Sequence, residues 1–390
     1  VTLVDLVLAV VLITAVVAGL GRGLLSTIGG LLGLAVGGIA AFWAVPVVND
    51  ALPTSQWRGP ATLALAVVLP LVGASVGAGI GHNLRRHVDR TPLRPLERLL
   101  GGVAHLLVAA VAISFVGTAV KATGAPGLAS AVSSSAVLRT IEDLTPVPVS
   151  RTLAQMRSAV LDEGLPRLDG LLVPRQAPVA PVVDLDDPAL ERSAQSVARI
   201  WGTAYACGTS TTGSGFVVAP DRVVTNAHVV AGVERPLVEV PGQAAQEGRV
   251  VYFDPAADLA VVAVDGLDTD PLTVAPSLAT GDTAAVQGYP YGGPLTSTSA
   301  QVLNVGTVRV PESGGIGGAE RDLYALAAPV HPGNSGGPVL TTDGEVVGVI
   351  FGRSDTEDGV AYAVTTTELM PVAAQAPDLD AAVTPGRCAS

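Results

Sequence analysis

The chain has 390 residues, room for more than one domain. Only 14% of them are charged, against roughly 25% in a soluble globular chain, so part of the chain is expected in lipid. Residues 1–121 carry 8 Lys+Arg against 4 Asp+Glu and the remainder 14 against 30, an acidic half that argues against nucleic-acid binding.

Four apolar stretches come first, from Leu3 to Leu20, Leu24 to Val48, Ala61 to Ile80 and Gly102 to Val120. Each is near the roughly 20 residues that cross a bilayer as a helix. Three further spans behind the first weigh against a cleaved signal peptide. Gly33 with Gly37, Gly73 with Gly77, and Gly77 with Gly81 stand at small-xxx-small spacing, which permits close helix approach. Glycine-rich helices with no particular partner would show the same pattern. The loop before the fourth stretch holds Arg85, Arg86, Arg90, Arg94 and Arg98, offset only by Asp89 and Glu97. Positive residues stay in the cytoplasm, so both termini are expected outside. His82 and His105 near the span ends are read as interfacial, with a proton relay as the alternative. With Asp5, the Gly21-Arg22-Gly23 turn and the Gly29-Gly30 pair, this region resembles the colicin V production (CvpA) family, which implies a membrane anchor.

Residues 122–189 read as an extracytoplasmic linker with short helices, one near Arg151 to Glu163, followed by the prolines Pro174, Pro178 and Pro181. A plain tether is expected, and exposure makes the segment a candidate for self-cleavage. A helix is predicted from Ala189 to Ile200. Short β-branched runs follow, at Gly215 to Val218, Arg222 to Thr225, Ala260 to Val264, Thr283 to Gln287 and Glu345 to Phe351. Their glycine-punctuated spacing predicts an all-β sandwich or barrel over residues 190–390.

Three segments of that region carry chemistry. Thr225-Asn226-Ala227-His228 ends a predicted strand with a histidine that can serve as general base. Asp254-Pro255-Ala256-Ala257-Asp258 precedes an apolar run, so the Asp258 carboxylate is expected to point inward and to need a partner, which His228 would supply. Asp254, before a proline, reads as a turn residue. Gly333-Asn334-Ser335-Gly336-Gly337 permits a strained turn that exposes a hydroxyl while the N–H groups of Gly333 and Ser335 converge as an oxyanion hole. His331 is too close to Ser335 to replace His228.

The segments GSGFVV, TNAHVV, DLAVV and GNSGGPV resemble the trypsin-like proteases of HtrA/Deg type, in the order His, Asp, Ser. The resemblance implies a multi-domain fold, with an N-terminal four-helix transmembrane region (residues 1–121) and a C-terminal all-β, chymotrypsin-like double β-barrel. It assigns His228 as base, Asp258 as its orienting carboxylate, Ser335 as nucleophile, and Gly333 with Ser335 as amide donors. Relatives of that type usually carry a PDZ domain, yet only 55 residues follow Ser335, so PDZ regulation is not expected. A CvpA-like anchor on a short protease is similar instead to the mycobacterial acid-resistance periplasmic proteases. That implies a membrane-bound endopeptidase that cleaves cell-envelope proteins in acid or oxidative stress, without cofactor or metal. The alternative is a membrane scaffold or transporter-like protein with an inactive protease-like domain. Acid would protonate a base histidine of ordinary pKa, about 6.5, and silence the chemistry. The specificity pocket is expected at Ile350, Phe351, Gly352, Gly359, Val360 and Ala361, uncharged and suited to a small or medium apolar side chain. Pro329 stands where relatives tend to carry an acidic residue. Cys207 and Cys388 would pair in an oxidising compartment, a reading the resemblance favours over two separate thiols.

Overall fold

The structure, a computed structural model, describes residues 2–51, 58–122, 131–132, 134–161, 167–168, 182–204, 209–311 and 318–386. Cys207, Cys388 and the prolines Pro174, Pro178 and Pro181 lie outside the described residues. The chain divides into two compact units, Val1–Phe115 and Val116–Ser390.

In the first unit Thr2 opens helix α1 (Leu3–Arg22) through a reciprocal cap, its side chain accepting from Asp5 N–H while the Asp5 carboxylate accepts from Thr2 N–H. Gly23, at φ 77°, breaks the chain sharply before α2 (Leu24–Ala51). Helices α3 (Arg58–Val88) and α4 (Arg94–Ala122) follow. Among the described residues four helices are long and apolar enough to span a membrane. The fourth starts earlier than the apolar stretch because polar residues from Arg94 onward join its first turns.

Two contacts organise this unit. Along α2 and α3 the glycines face each other: a Cβ on Gly33 would strike the Gly73 carbonyl, and a Cβ on Gly73 the Gly33 carbonyl. The backbones therefore touch, as the small-residue spacing allows. At one end Glu97, 6% exposed, accepts the Leu25 N–H at 3.2 Å and pairs with Arg85 at 3.4 Å, while Arg85 donates to the Gly21 carbonyl. A carboxylate at the start of α2 complements the helix dipole. Arg85 is thus a buried, neutralised tie rather than a solvated arginine.

In the second unit Ser135 caps α5 (Ala136–Leu144), accepting the Leu138 N–H at 3.2 Å. Helix α6 (Val147–Leu161) covers most of the stretch predicted from Arg151. The helix predicted from Ala189 to Ile200 ends early. Asp187 caps a short α7 (Pro188–Ala194), and Val197–Ala204 forms strand β2. Pairing with strands on both sides overrides the local reading there.

The β-structure forms two seven-stranded sheets. In the first, β2 pairs with β3 (Thr209–Ala219) and β5 (Leu237–Glu239), and β4 (Arg222–Thr225) links β3 to β8 (Leu259–Ala263). The edges are β6 (Gln246–Glu247) and β7 (Arg249–Asp254). In the second the order is β13-β12-β9-β10-β11-β14, and β13 (Val346–Ser354) also pairs with β14 (Val360–Thr365), closing the ring. Its other members are β9 (Thr283–Gly288), β10 (Thr296–Pro311), β11 (Gly318–Ala327) and β12 (Pro338–Leu340). Outside the ring, the two-residue β1 (Arg167–Leu168) lies parallel to β13. This is the all-β, trypsin-like architecture that the motifs implied. Helix α8 (Ala227–Val230) follows β4 and α9 (Thr366–Gln375) follows β14. The tail returns across the first sheet, with Val383 N–H donating to the Val250 carbonyl and Gly232 N–H to the Pro385 carbonyl.

Gly33→Leu should force α2 and α3 apart at a cost of about 1–3 kcal/mol. Gly38, with open space where a Cβ would go, is the control. The full chain in detergent should show a lower unfolding midpoint for Gly33→Leu and an unchanged one for Gly38→Leu.

Candidate active site

The register between β4 and β8 sets the first half of the site. Thr225 pairs with Ala260, which brings the residues after β4 opposite those before β8. Asn226 then donates its side-chain amide to the Asp258 carbonyl at 2.9 Å. Asp258 adopts φ 56°, a left-handed conformation that aspartate tolerates better than most residues. Its carboxylate turns inward, 5% exposed, and grips His228 twice. One oxygen accepts the His228 backbone N–H at 3.0 Å, and the other meets imidazole Nδ1 at 2.8 Å. With Nδ1–H committed to the carboxylate, the Nε2 lone pair is left to accept a proton. Asp254 accepts the N–H groups of Ala256 and Ala257 at 2.8 and 3.1 Å, closing the turn that precedes Asp258.

The Ser335 loop packs against Ser214 and against Thr225 and Asn226, the residues that lead to His228. Ser214 N–H donates to the Ser335 carbonyl at 2.7 Å, and Thr225 Oγ1 donates to the Ser214 carbonyl at 2.7 Å. Gly336, at φ 81°, has its Cα so near the Ser214 carbonyl and Thr225 Oγ1 that a Cβ would clash with both. Only glycine fits there. The Gly336 N–H goes to the Ile350 carbonyl and the Asn334 N–H to the His331 carbonyl. Among the described residues the N–H groups of Gly333 and Ser335 have no hydrogen-bond acceptor, and Ser335 Oγ has no partner. Gly333 sits at φ 93°.

Ser214 is a residue that motif reading passed over, although it lies inside the GSGF segment. Fully buried, its hydroxyl donates to the Gly333 carbonyl at 2.7 Å and accepts the Tyr289 N–H at 2.9 Å. Arg199 also left no local signal. It pairs with Glu239 at 2.8 Å and Glu142 of α5 at 3.8 Å, and donates to the Gly292 carbonyl at 3.1 Å. Burial alone would lower its pKa, but Glu239 and Glu142 outweigh that and raise it above the ordinary value. Burial pushes the Tyr289 hydroxyl pKa up, and that hydroxyl donates to the Val197 carbonyl at 3.2 Å.

A cavity of about 370 Å³ opens beside the serine loop, with Pro329, His331 and Val360 in its wall. Of the expected specificity residues, Val360 and Gly359 line it, whereas Ile350, Phe351 and Gly352 are buried in β13 and Ala361 in β14. The wall also carries Arg353, Asp355, Glu357 and Asp358, charges absent from the apolar expectation. They come from the end of β13 and the β13–β14 turn, whose approach to the serine loop is a matter of tertiary folding. Among the described residues no cluster of His, Cys, Asp and Glu could hold a metal ion.

Residues 213–349 match the trypsin-like peptidase domain family and residues 4–146 the colicin V production protein family. Serine protease Rv3671c of Mycobacterium tuberculosis is 32% identical over 375 residues, covering 94% of this chain and 93% of the relative. A periplasmic serine endoprotease described as DegP-like, from Pseudomonas fluorescens, is 32% identical over 169 residues, 42% of this chain and 34% of that one. The crystal structure of the Rv3671c protease in its active form superposes with a TM-score of 0.51 at 34% identity, covering 57% of this chain and 100% of that one.

Ser214→Ala leaves the Tyr289 N–H without its acceptor and the Gly333 carbonyl without its donor inside a closed site. Full-chain stability in denaturant should fall by about 1–3 kcal/mol.

Proposed function

The chain belongs to the trypsin-like serine protease family of Rv3671c, with a colicin V production region ahead of the protease, and on that footing we propose how this endopeptidase works and where. Ser335 Oγ attacks the scissile carbonyl carbon as His228 Nε2 takes its proton. The Gly333 and Ser335 N–H groups hold the oxyanion. Collapse returns the proton to the leaving amine and gives an acyl-enzyme, which water hydrolyses by the same steps in reverse. The two-point grip of Asp258 on His228 carries this reading, because it fixes both the tautomer and the ring plane. The nucleophile–base hydrogen bond forms as substrate docks, a tightening common to unliganded enzymes.

The arginine-rich junction of α3 and α4, with Arg86 at the end of α3, Arg90 in the loop, and Arg94 and Arg98 at the start of α4 besides the neutralised Arg85, favours a cytoplasmic side for that junction and an extracytoplasmic side for the protease. We assign residues 1–121 to the anchor, 122–189 to a linker open to self-cleavage, and 190–390 to the protease. Substrates are proteins of the cell envelope, cleaved under acid or oxidative stress, as the family resemblance implies. In that compartment Cys207 and Cys388 form a disulfide. The tail contacts at Val383 and Pro385 support this, since they lay the described part of the tail across the first sheet.

A fluorophosphonate probe on the full chain in detergent tests the mechanism. Wild type should label and Ser335→Ala should not. His228→Ala and Asp258→Asn should each slow peptide hydrolysis by about 10⁴-fold or more. Persistent labelling of Ser335→Ala would place the nucleophile elsewhere.

A further inference from the structure

His331 is the titratable group nearest the nucleophile in sequence that the proposed mechanism leaves idle. Its ring stacks on Tyr291, with centroids 5.1 Å apart and planes 23° from parallel, and its Nδ1 lies 3.0 Å from the Tyr291 hydroxyl. Tyr291 belongs to the 3₁₀ turn Pro290–Gly292, where it holds φ 58° and ψ 22°. A non-glycine residue keeps that conformation only where its surroundings enforce it. Two of the enforcing contacts go to the serine loop. Tyr291 N–H donates to the Pro332 carbonyl at 2.5 Å, and the turn lies so close to Gly333 that a Cβ there would meet Tyr289 O, Tyr291 N and Gly292 N. His331 in turn donates its N–H to Asn334 Oδ1 at 3.0 Å and accepts the Asn334 N–H at its carbonyl. Tyr291 thus grips residues 331 and 332, the two that lead into the proposed oxyanion donors.

The geometry points to a positioning clamp: Tyr291 and a neutral His331 together hold the Gly333 and Ser335 amides in their catalytic orientation, and protonation of His331 loosens them. The clamp rests on the reading of Ser335 as nucleophile. Neither residue touches the reacting atoms. The imidazole is half-buried, and the groups around it come from three elements. Arg353 of β13 and Arg151 of α6 repel an imidazolium, while Asp355, Glu357 and Asp358 in the same cavity wall attract it. Burial, with Arg353 and Arg151 adding to it, holds the His331 pKa below its ordinary value. A depressed histidine pKa means the neutral, clamped state is fully favoured above the ordinary histidine value. That preference is lost as pH falls through the lowered one. Acid would then loosen the oxyanion donors through His331, independently of the general base.

The test is the pH dependence of fluorophosphonate labelling rate from pH 4.5 to 8, on the full chain in detergent. The wild-type acid limb should steepen toward a two-proton slope. His331→Gln keeps an acceptor for the tyrosine hydroxyl but does not titrate, and should show a one-proton slope with a neutral-pH rate within about threefold of wild type. Tyr291→Phe keeps the stacking and the backbone contact but loses the hydroxyl, and should label about fivefold more slowly at pH 8. A wild-type limb in His331→Gln overturns the titrating role, and a wild-type rate in Tyr291→Phe overturns the grip. A wild-type chain that never labels overturns the serine-nucleophile reading itself, whereas a labelled wild type with unaltered variants overturns the clamp alone.

Discussion

A buried carboxylate must be met by donors, and in the protease half that constraint falls on Asp258. At 5% exposure its two oxygens would be costly to leave unpaired, and both are satisfied by one residue, His228. The pairing is possible only in one register of β4 against β8, where Thr225 faces Ala260. A slip by one residue would reverse every side chain of the strand and exchange Val223 with Val224, which pack into separate buried clusters on opposite faces. The hydrophobic pattern of two strands therefore enforces a hydrogen bond of 2.8 Å at their ends. The strained φ of Asp258 is tolerated because strand pairing, the Asp254 turn and the Asn226 contact all converge on it.

The serine loop is fixed by different means. Its residues contribute little apolar surface, so backbone groups and a single buried hydroxyl hold it. Ser214 takes contacts from both sides of the site, reaching the Gly333 carbonyl and the Tyr289 N–H, while its own amide holds the Ser335 carbonyl. Three loop amides, of Asn334, Gly336 and Gly337, are taken by the His331, Ile350 and Asn334 carbonyls, and the two left over are those proposed to meet the oxyanion. Preorganised donors of this kind need no rearrangement when charge develops.

The N-terminal unit obeys another economy. Lipid offers no hydrophobic gain for helix association, so α2 and α3 gain contact by touching backbone to backbone through glycines. Two of the charged side chains it buries, Arg85 and Glu97, neutralise each other and tie the start of α2 to the helices on either side of the arginine-rich loop. An isolated charge in such a place would be expensive.

Length and hydropathy were enough to define four spans, because a bilayer imposes one simple requirement on every helix that crosses it. The segments around His228, Asp258 and Ser335 were legible too, since backbone strain and close approach demand particular residues at fixed spacing. Gly336 against Ser214 is such a case, and so is the aspartate that closes the turn at Asp254. Other features left no local trace. Val197–Ala204 reads as the continuation of a helix and becomes a strand only because β3 and β5 bracket it. Helices α5 and α6 read as parts of a tether, yet Glu142 reaches Arg199 in the protease. The charges on the cavity wall, and the stacking of Tyr291 on His331 across 40 residues, arise where separate loops meet. Local chemistry can specify a turn, a cap or a span. Which two distant turns face one another is decided by how the strands between them pair and close, a long-range choice made when the sheets assemble.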